Sequence, residues 1–172
     1  MLFIDIQNRM YIRKATMDDL PRLMEIFEFA KTVMVASGNK RQWNNGYPSA
    51  ETVTNDIHNG VCYAVCDDSH RTIATMAFIE GPDPTYQTIY NGHWRNNNRY
   101  YVIHRIAVAQ TGMGLARKMF DWAFGHTATV RIDTHRDNVI MHHILQSYGF
   151  IKCGVIHLAN GDARDAYMLT KE

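Results

Sequence analysis

Two glycines between an apolar stretch and a helical pattern form the strongest chemical signal in the sequence. Residues 100–108 are rich in β-branched and aromatic side chains, as strands are, and residues 115–124 repeat apolar side chains at helical spacing. Gly112 and Gly114 lie at the junction. Glycines there allow a tight turn that directs backbone N–H groups toward an anion at the helix N-terminus, where the helix dipole also favours negative charge. The pattern indicates a cradle for a pyrophosphate, although the same spacing also occurs in simple turns.

The glycine turn matches neither of two common nucleotide-binding motifs. It lacks the Gly-Lys-Ser or Gly-Lys-Thr ending of the Walker motif. It also lacks the third glycine and the ribose-binding acid of the dinucleotide fingerprint. We therefore expect a ligand other than ATP or NAD.

The elements that must position this turn follow from the pattern of apolar residues. Strands are predicted over residues 11–15, 61–66, 72–80, 100–108, 127–133, 150–158 and 165–170. Helices are predicted after Thr16, after Ser49, over residues 115–124 and over residues 138–147. These elements predict a single α/β domain with a mixed sheet over residues 1–172, in which residues 1–9 are an N-terminal extension and residues 81–98 are a long loop.

Composition narrows the class of protein. The 18 basic and 17 acidic residues give a net charge of +1, which argues against nucleic-acid binding through phosphate neutralisation. The sequence has neither a long apolar run nor a basic leader, so we expect no membrane span, no signal peptide and a cytoplasmic protein. Three cysteines, Cys62, Cys66 and Cys153, lie in apolar runs and are expected to be core residues in a reducing compartment.

With these elements in order, the chain resembles the GNAT superfamily of N-acetyltransferases over about residues 11–170. The resemblance rests mainly on Ile106-Ala107-Val108, Gly112-Met113-Gly114-Leu115-Ala116, Asn138 and Gly149-Phe150. A related subgroup resembles the chain at Gln42-Trp43, Asp133-Thr134-His135 and Met141. The resemblance implies an α/β (α+β) fold with a mixed, partly splayed central sheet, flanked by about four helices.

The sequence departs from the family pattern at two positions. Thr111 stands where members usually have Gln or Arg, and the turn after Val108 is about two residues shorter than usual. Leu145 occupies the position at which many members place a tyrosine that acts as general acid for the leaving thiolate. Tyr148 is in the wrong register to take that role.

The resemblance implies acetyl-CoA as cosubstrate and a set of residues that hold it. The backbone of Ile106, Ala107 and Val108 would bind the pantetheine arm and the thioester oxygen. The amides of the glycine turn would bind the pyrophosphate, and Asn138, at the start of the helix over residues 138–147, would bind the arm. The turn and helix residues implied are Gly112, Met113, Gly114, Leu115, Ala116, Asn138 and Met141. Arg117 would reach a phosphate, or it would simply be solvated.

Two residues are candidate general bases. Strand alternation places His104 on the same face as Val102, Ile106 and Val108, the face that carries the base in some relatives. Glu80 ends its strand beside the long loop and is the rival candidate. Each also has a structural interpretation, as a hydrogen-bonded strand histidine and as a solvated end residue.

Four residues are candidates for the acceptor site. Trp43 and Tyr47 lie in the loop between the first two helices, where they would wall a cleft for an amine or pack onto the core. Glu80 and His135 are the other two. The histidines show no zinc-binding spacing, so we expect no metal.

The predicted activity is acetyl-CoA-dependent N-acetyl transfer to a small-molecule or peptide amine, by direct attack in a ternary complex. No cysteine stands at a plausible acyl-carrier position. The alternatives are a non-catalytic acyl-CoA-binding or sensory domain of the same fold, and a structural domain without a CoA site. The resemblance also makes a homodimer possible.

Overall fold

The computed structural model describes residues 10–172, so the predicted extension over residues 1–9 lies outside the described residues. The strands are β1 (Tyr11–Lys14), β2 (Cys62–Cys66), β3 (Thr72–Glu80), β4 (Tyr101–Val108), β5 (Thr129–Thr134), β6 (Ile151–His157) and β7 (Ala163–Thr170). The helices are α1 (Leu20–Ala36), α2 (Ala50–His58), α3 (Leu115–Phe124) and α4 (Val139–Tyr148). Short 3₁₀ turns cover Met17–Asp19 and Pro84–Tyr86.

The strands form one mixed sheet in the order β1-β2-β3-β4-β5-β7-β6. Every neighbouring pair is antiparallel except β4 and β5, which run parallel. β4 and β5 pair only at Tyr101 with Val130 and at Val102 with Arg131, and no further pair joins them in the described part of the chain. The two strands therefore separate beyond Val102, which confirms the mixed sheet predicted from the elements and the partial splay implied by the family resemblance.

A bulge in β4 changes which side chains share a face. Ala107 pairs with Thr75 but His104 pairs with Ala77, so β4 has one residue more than β3 between these two pairs. Arg105 lies in this bulge with a φ of 53°. Ile106 and Ile103 consequently pack into the same apolar cluster, which strict alternation forbids. The prediction that His104 shares a face with Ile106 and Val108 was wrong because the extra residue reverses the alternation.

Both faces of the sheet are covered by helices. Phe120 of α3 and Leu145 of α4 are fully buried on one face, and Leu23 of α1 is fully buried in the cluster on the other. Each such side chain contributes about 1.5–3 kcal/mol of hydrophobic stabilisation. No helix within residues 10–172 is both long enough and apolar enough to cross a membrane.

The loop after β3 is ordered against the sheet. Tyr86 is almost fully buried, and the indole N–H of Trp94 donates to its carbonyl at 2.9 Å. The Arg131 guanidinium lies between the rings of Trp94 and Tyr100, with its central carbon 4.1 and 3.9 Å from their centroids. These contacts hold the loop over the end of the β4–β5 pair.

Candidate active site

A cavity of about 550 Å³ opens where β4 and β5 separate. Ile103 and His104 of β4 and Asp133 and Thr134 of β5 line its floor. The loop between α1 and α2, the start of α4 and the turn between β6 and β7 contribute to its walls. The volume is in the range of small-molecule sites.

His104 lies between two carboxylates at this floor. Its Nε2 is 3.0 Å from an Asp83 oxygen, and its Nδ1 is 3.7 Å from an Asp133 oxygen. His104 and Asp133 face each other because they continue the register of the last β4–β5 pair by two residues. The same Asp133 oxygen accepts a hydrogen bond from the Tyr86 hydroxyl at 2.6 Å.

The partners of Asp83 keep it ionised. Burial raises its pKa, but hydrogen bonds from His104 and from the side chain and backbone of Thr85 outweigh burial and lower the pKa to about 2. An ionised carboxylate only accepts hydrogen bonds, so Nε2 of His104 carries the proton. In the neutral ring the lone pair is then on Nδ1, and Asp133 is close enough to stabilise a proton taken up there.

Aromatic side chains form one wall of the cavity. Trp43 lines the cavity and packs edge-to-face on Phe27, with ring centroids 5.6 Å apart. The Tyr47 hydroxyl accepts a hydrogen bond from Arg105 at 2.9 Å. Arg105 also makes a bidentate pair with Asp56 at 2.7 and 2.8 Å. Trp43 and Tyr47 therefore line the cavity and also make contacts with the rest of the fold. The two roles between which the sequence could not decide occur together.

Asn138 lines the cavity, and both the oxygen and the nitrogen of its side-chain amide form hydrogen bonds within the protein. Its oxygen caps α4 by accepting from the Met141 N–H at 3.1 Å. Its nitrogen donates to the side-chain oxygen of Gln42 at 2.9 Å. The residue thus caps the helix and fixes the α1–α2 loop against the turn between β5 and α4.

The glycine turn presents unpaired backbone donors at the start of α3. Gly112 and Gly114 have φ values of 81° and 65°, which favour glycine. A Cβ on Gly114 would meet no atom within 4 Å, so the space beside its Cα is open. The first intrahelical hydrogen bond is donated by Lys118 to Gly114, and no side chain in the described part of the chain caps the helix. These features fit an anion.

The edge of β4 next to the opening also has backbone groups to offer. The N–H of Ala109 donates to Ile73 on the β3 side at 2.8 Å. Because strand amides alternate in direction, those of Val108 and Ile106 face the β5 side, where pairing has ended. A linear ligand lying in the opening would find hydrogen-bonding groups along β4.

Comparison with solved structures identifies the family. An acetyltransferase of the GNAT family from Streptococcus agalactiae is 34% identical over 95% of this chain and 96% of its own, with a TM-score of 0.85. The chain belongs to the GNAT family of acetyltransferases. No family model and no curated protein matches the sequence.

More distant structures share the GNAT fold. An acetyltransferase of the GNAT family from Listeria monocytogenes is 17% identical over 94% of this chain and 95% of its own, with a TM-score of 0.69. A chain from the NatC complex bound to Gag peptide and CoA is 16% identical over 95% of this chain and 99% of its own, with a TM-score of 0.56.

Two predicted site residues are not among those that line the cavity of this GNAT domain. Glu80 pairs with Tyr101 at the closed end of the β4–β5 pair, and its carboxylate contacts Arg99. His135 follows β5 but is not among the cavity-lining residues, and its Nδ1 accepts from the Asp137 N–H at 3.1 Å. Neither side chain therefore lines the cavity, and Glu80 is held by Arg99 at the other end of the β4–β5 pair.

The remaining predicted cofactor-binding residues differ in whether their side chains or only their backbone groups are accessible to a ligand. Leu115 and Ala116 bury their side chains, so only their backbone is available to a ligand. Met113 is exposed and lines a separate cavity of about 360 Å³ against α1. Arg117 is exposed, with its guanidinium 5.2 Å from the Tyr148 ring centroid, and Met141 lines the main cavity.

Sequence reasoning missed Asp83 and Arg164, which both line the cavity. Asp83 follows the Gly81-Pro82 turn just beyond β3, and a carboxylate after a strand-ending turn is the signal that was available. Arg164 stands alone near the start of a predicted strand, and nothing in its sequence context distinguishes it.

Asp83 is expected to make the stability of the protein sensitive to acid. Its pKa is about 2 in the folded protein against an ordinary 3.8, so the stabilising form is the ionised one. The contribution is complete above about pH 4 and is lost as the pH falls toward 2, and it amounts to about 1–2 kcal/mol after allowance for solvent screening. Urea unfolding at pH 6 and pH 2.5 should show a smaller acid-induced loss for Asp83→Asn than for the wild type.

A matched control for this experiment is Asp68→Asn, since Asp68 is exposed in the turn after β2. The control should lose as much stability on acidification as the wild type does. Equal acid sensitivity of Asp83→Asn and the wild type would contradict the assigned role of the His104–Asp83 contact.

Proposed function

We propose that this protein transfers the acetyl group of acetyl-CoA to an amine by direct attack in a ternary complex. The observation that carries the proposal is His104, hydrogen-bonded to an ionised Asp83 at the floor of the cavity where β4 and β5 separate. A basic ring nitrogen at that position suits the removal of a proton from an attacking amine.

The residues around the opening fit acetyl-CoA. The amides of residues 112–116 would hold the pyrophosphate, and the exposed β4 backbone at Ile106 and Val108 would hold the pantetheine arm. The fit rests on the uncapped α3 N-terminus and on the open space beside the Cα of Gly114. Bound acetyl-CoA would supply a thioester carbon, to which the amine bonds as the C–S bond breaks and CoA leaves as its thiolate.

His104 accepts the proton of the amine, and Asp133 stabilises the resulting positive charge. Nδ1 of His104 takes the proton directly or through one water, and Asp83 holds the ring in the required tautomer. Asp133, at 3.7 Å, then stabilises the charged ring. Leu145 is fully buried and has no ionisable group, so we assign no general acid to the position that a tyrosine occupies in many members.

The acceptor is an amine of a small molecule or a peptide. Asp83 and Asp133 make the floor of the cavity attractive to an ammonium group. The fold is shared with a chain of the NatC complex bound to Gag peptide and CoA, which supports a peptide as one class of acceptor.

Incubation with acetyl-CoA and a broad amine panel tests the proposal through release of free CoA thiol. We expect turnover with at least one amine, and acetylated product by mass spectrometry. Tight acetyl-CoA binding with no turnover over the whole panel would instead favour the acyl-CoA-binding alternative. The Asp68→Asn protein provides a preparation control because Asp68 is remote from the cavity.

A further inference from the structure

Arg164 is a buried cation without an acidic partner. Its side chain lines the cavity and the residue is 5% exposed. Its guanidinium donates to the carbonyl oxygens of Ala163 at 3.0 Å and Gln42 at 3.2 Å. These bonds use two of its five N–H donors, and no carboxylate of residues 10–172 lies within ion-pair distance of it. Burying an uncompensated charge is costly, so its retention at a cavity wall points to an anionic ligand.

The two carboxylates nearest to Arg164 in the sequence have other partners. Asp165 pairs with Lys152 at 3.2 Å and lies 3.5 Å from His142. Asp162, which also lines the cavity, accepts a hydrogen bond from the neutral side chain of Asn160 at 3.1 Å. The other cavity arginine, Arg105, has its charge compensated by the bidentate pair with Asp56. Burial and the charge of Arg164 lower the pKa of the nearby His135.

Sheet register places Arg164 on the same face as the His104 cluster. Asp133 pairs with Ala166, and directly paired residues point to the same face. Arg164 is two residues from Ala166 on β7, so it shares that face. Two residues of strand span about 7 Å. The cavity therefore has an acidic pole at Asp83 and Asp133 and a basic pole at Arg164, which lies two residues along β7 from the partner of Asp133.

We propose that the acceptor is a small amino acid-type molecule, whose carboxylate binds Arg164 while its amine binds at the His104–Asp83–Asp133 cluster. This inference rests on the proposed function and adds a substrate class to it. Arg164 recognises the carboxylate through charge-assisted hydrogen bonds from its planar fork. The cavity of about 550 Å³ must also admit the end of the cofactor arm, which favours a compact acceptor whose amine and carboxylate both fit inside it.

Paired acceptors test the carboxylate directly. Thiol release is measured with acetyl-CoA and each of a set of α-amino and ω-amino acids, and with the primary amide of each acid, which keeps the amine and removes the charge. For the wild type we expect kcat/KM to be at least about 30-fold higher with the best acid than with its amide. A loss of this size is typical when one partner of a buried charge pair is removed. Equal rates for acids and amides would overturn the proposal.

Two variants assign the preference to Arg164. Arg164→Gln should reduce the ratio of acid to amide kcat/KM to near unity, and Arg164→Lys should retain part of it. Arg136→Gln is the matched control, because it removes the same charge from a side chain that is 76% exposed and does not line the cavity. It should keep the wild-type ratio. A full preference in Arg164→Gln would overturn the role of Arg164.

A binding measurement tests the carboxylate site even if the protein shows no acetyl transfer. Thermal unfolding of the CoA-saturated protein is followed with a pool of the acids and with a pool of their amides. We expect the acids to raise the Tm more than the amides in the wild type and in Arg136→Gln, and not in Arg164→Gln. If no acceptor turns over, the proposed function fails. In that case, a larger rise in Tm with the acids that depends on Arg164 would still support the carboxylate site. Equal rises in Tm with the two pools would overturn it.

Discussion

Replacing His104 by alanine is expected to lower kcat for acetyl transfer about 10²–10⁴-fold, the range of a lost general base. In the proposed mechanism the base is Nδ1 of His104, which lies between Asp83 and Asp133, and in the described part of the chain no second histidine lines the cavity. The side chain is away from the glycine turn, so the Kd for acetyl-CoA should change little. The loss should therefore fall on kcat rather than on the KM for acetyl-CoA.

His143→Ala is the matched control, because His143 is exposed on α4 and does not line the cavity. His104→Gln tests the same position with a side chain that still donates toward Asp83 but cannot take up the proton. It should be as inactive as His104→Ala. Activity near the wild-type level in both His104 variants would contradict the assignment of His104 as base.

Replacing Gly114 by tryptophan is expected to weaken acetyl-CoA binding at least about 30-fold, which is about 2 kcal/mol. The indole would fill the open space beside the Cα of Gly114 at the α3 N-terminus, where the pyrophosphate is expected to lie. Calorimetric titration with acetyl-CoA measures the change in Kd. The φ of 65° at Gly114 also strains any larger residue, so part of the effect is a loss of stability.

Gly38→Trp separates these two effects. Gly38 has a φ of 92°, a Cβ there would also meet no atom within 4 Å, and the residue does not line the cavity. It should lower the Tm by a similar amount and leave the Kd for acetyl-CoA near the wild-type value. Normal acetyl-CoA affinity in Gly114→Trp would show that the glycine turn does not hold the pyrophosphate.

The parts of the fold that local sequence controls were predictable. Apolar periodicity predicted the strands and helices to within a few residues, and Ser49 caps α2 by accepting from the Thr52 N–H at 3.1 Å, as predicted. The splayed sheet followed from the family resemblance. The turn at Gly112 and Gly114 was readable because positive φ is a property of the single residue.

The arrangement of the cavity was not predictable, since it depends on contacts between distant residues. Whether Glu80 or Asp83 faces the opening depends on where the β4–β5 pairing ends, and sequence alone does not reveal that register. The bulge at Arg105 reversed the inferred faces of β4 without a glycine to mark it. The lack of an acidic partner for Arg164 is visible only when the surrounding carboxylates are located in space.

The proposed function depends most on the binding of acetyl-CoA where β4 and β5 separate. Calorimetric titration of the full chain at fixed salt, with acetyl-CoA and with an adenine nucleotide that lacks the pantetheine arm, tests it most directly. We expect a Kd for acetyl-CoA in the micromolar range, and binding of the nucleotide that is at least about tenfold weaker because the nucleotide cannot use the β4 edge. No binding of acetyl-CoA, or equal binding of the bare nucleotide, would contradict the proposed function.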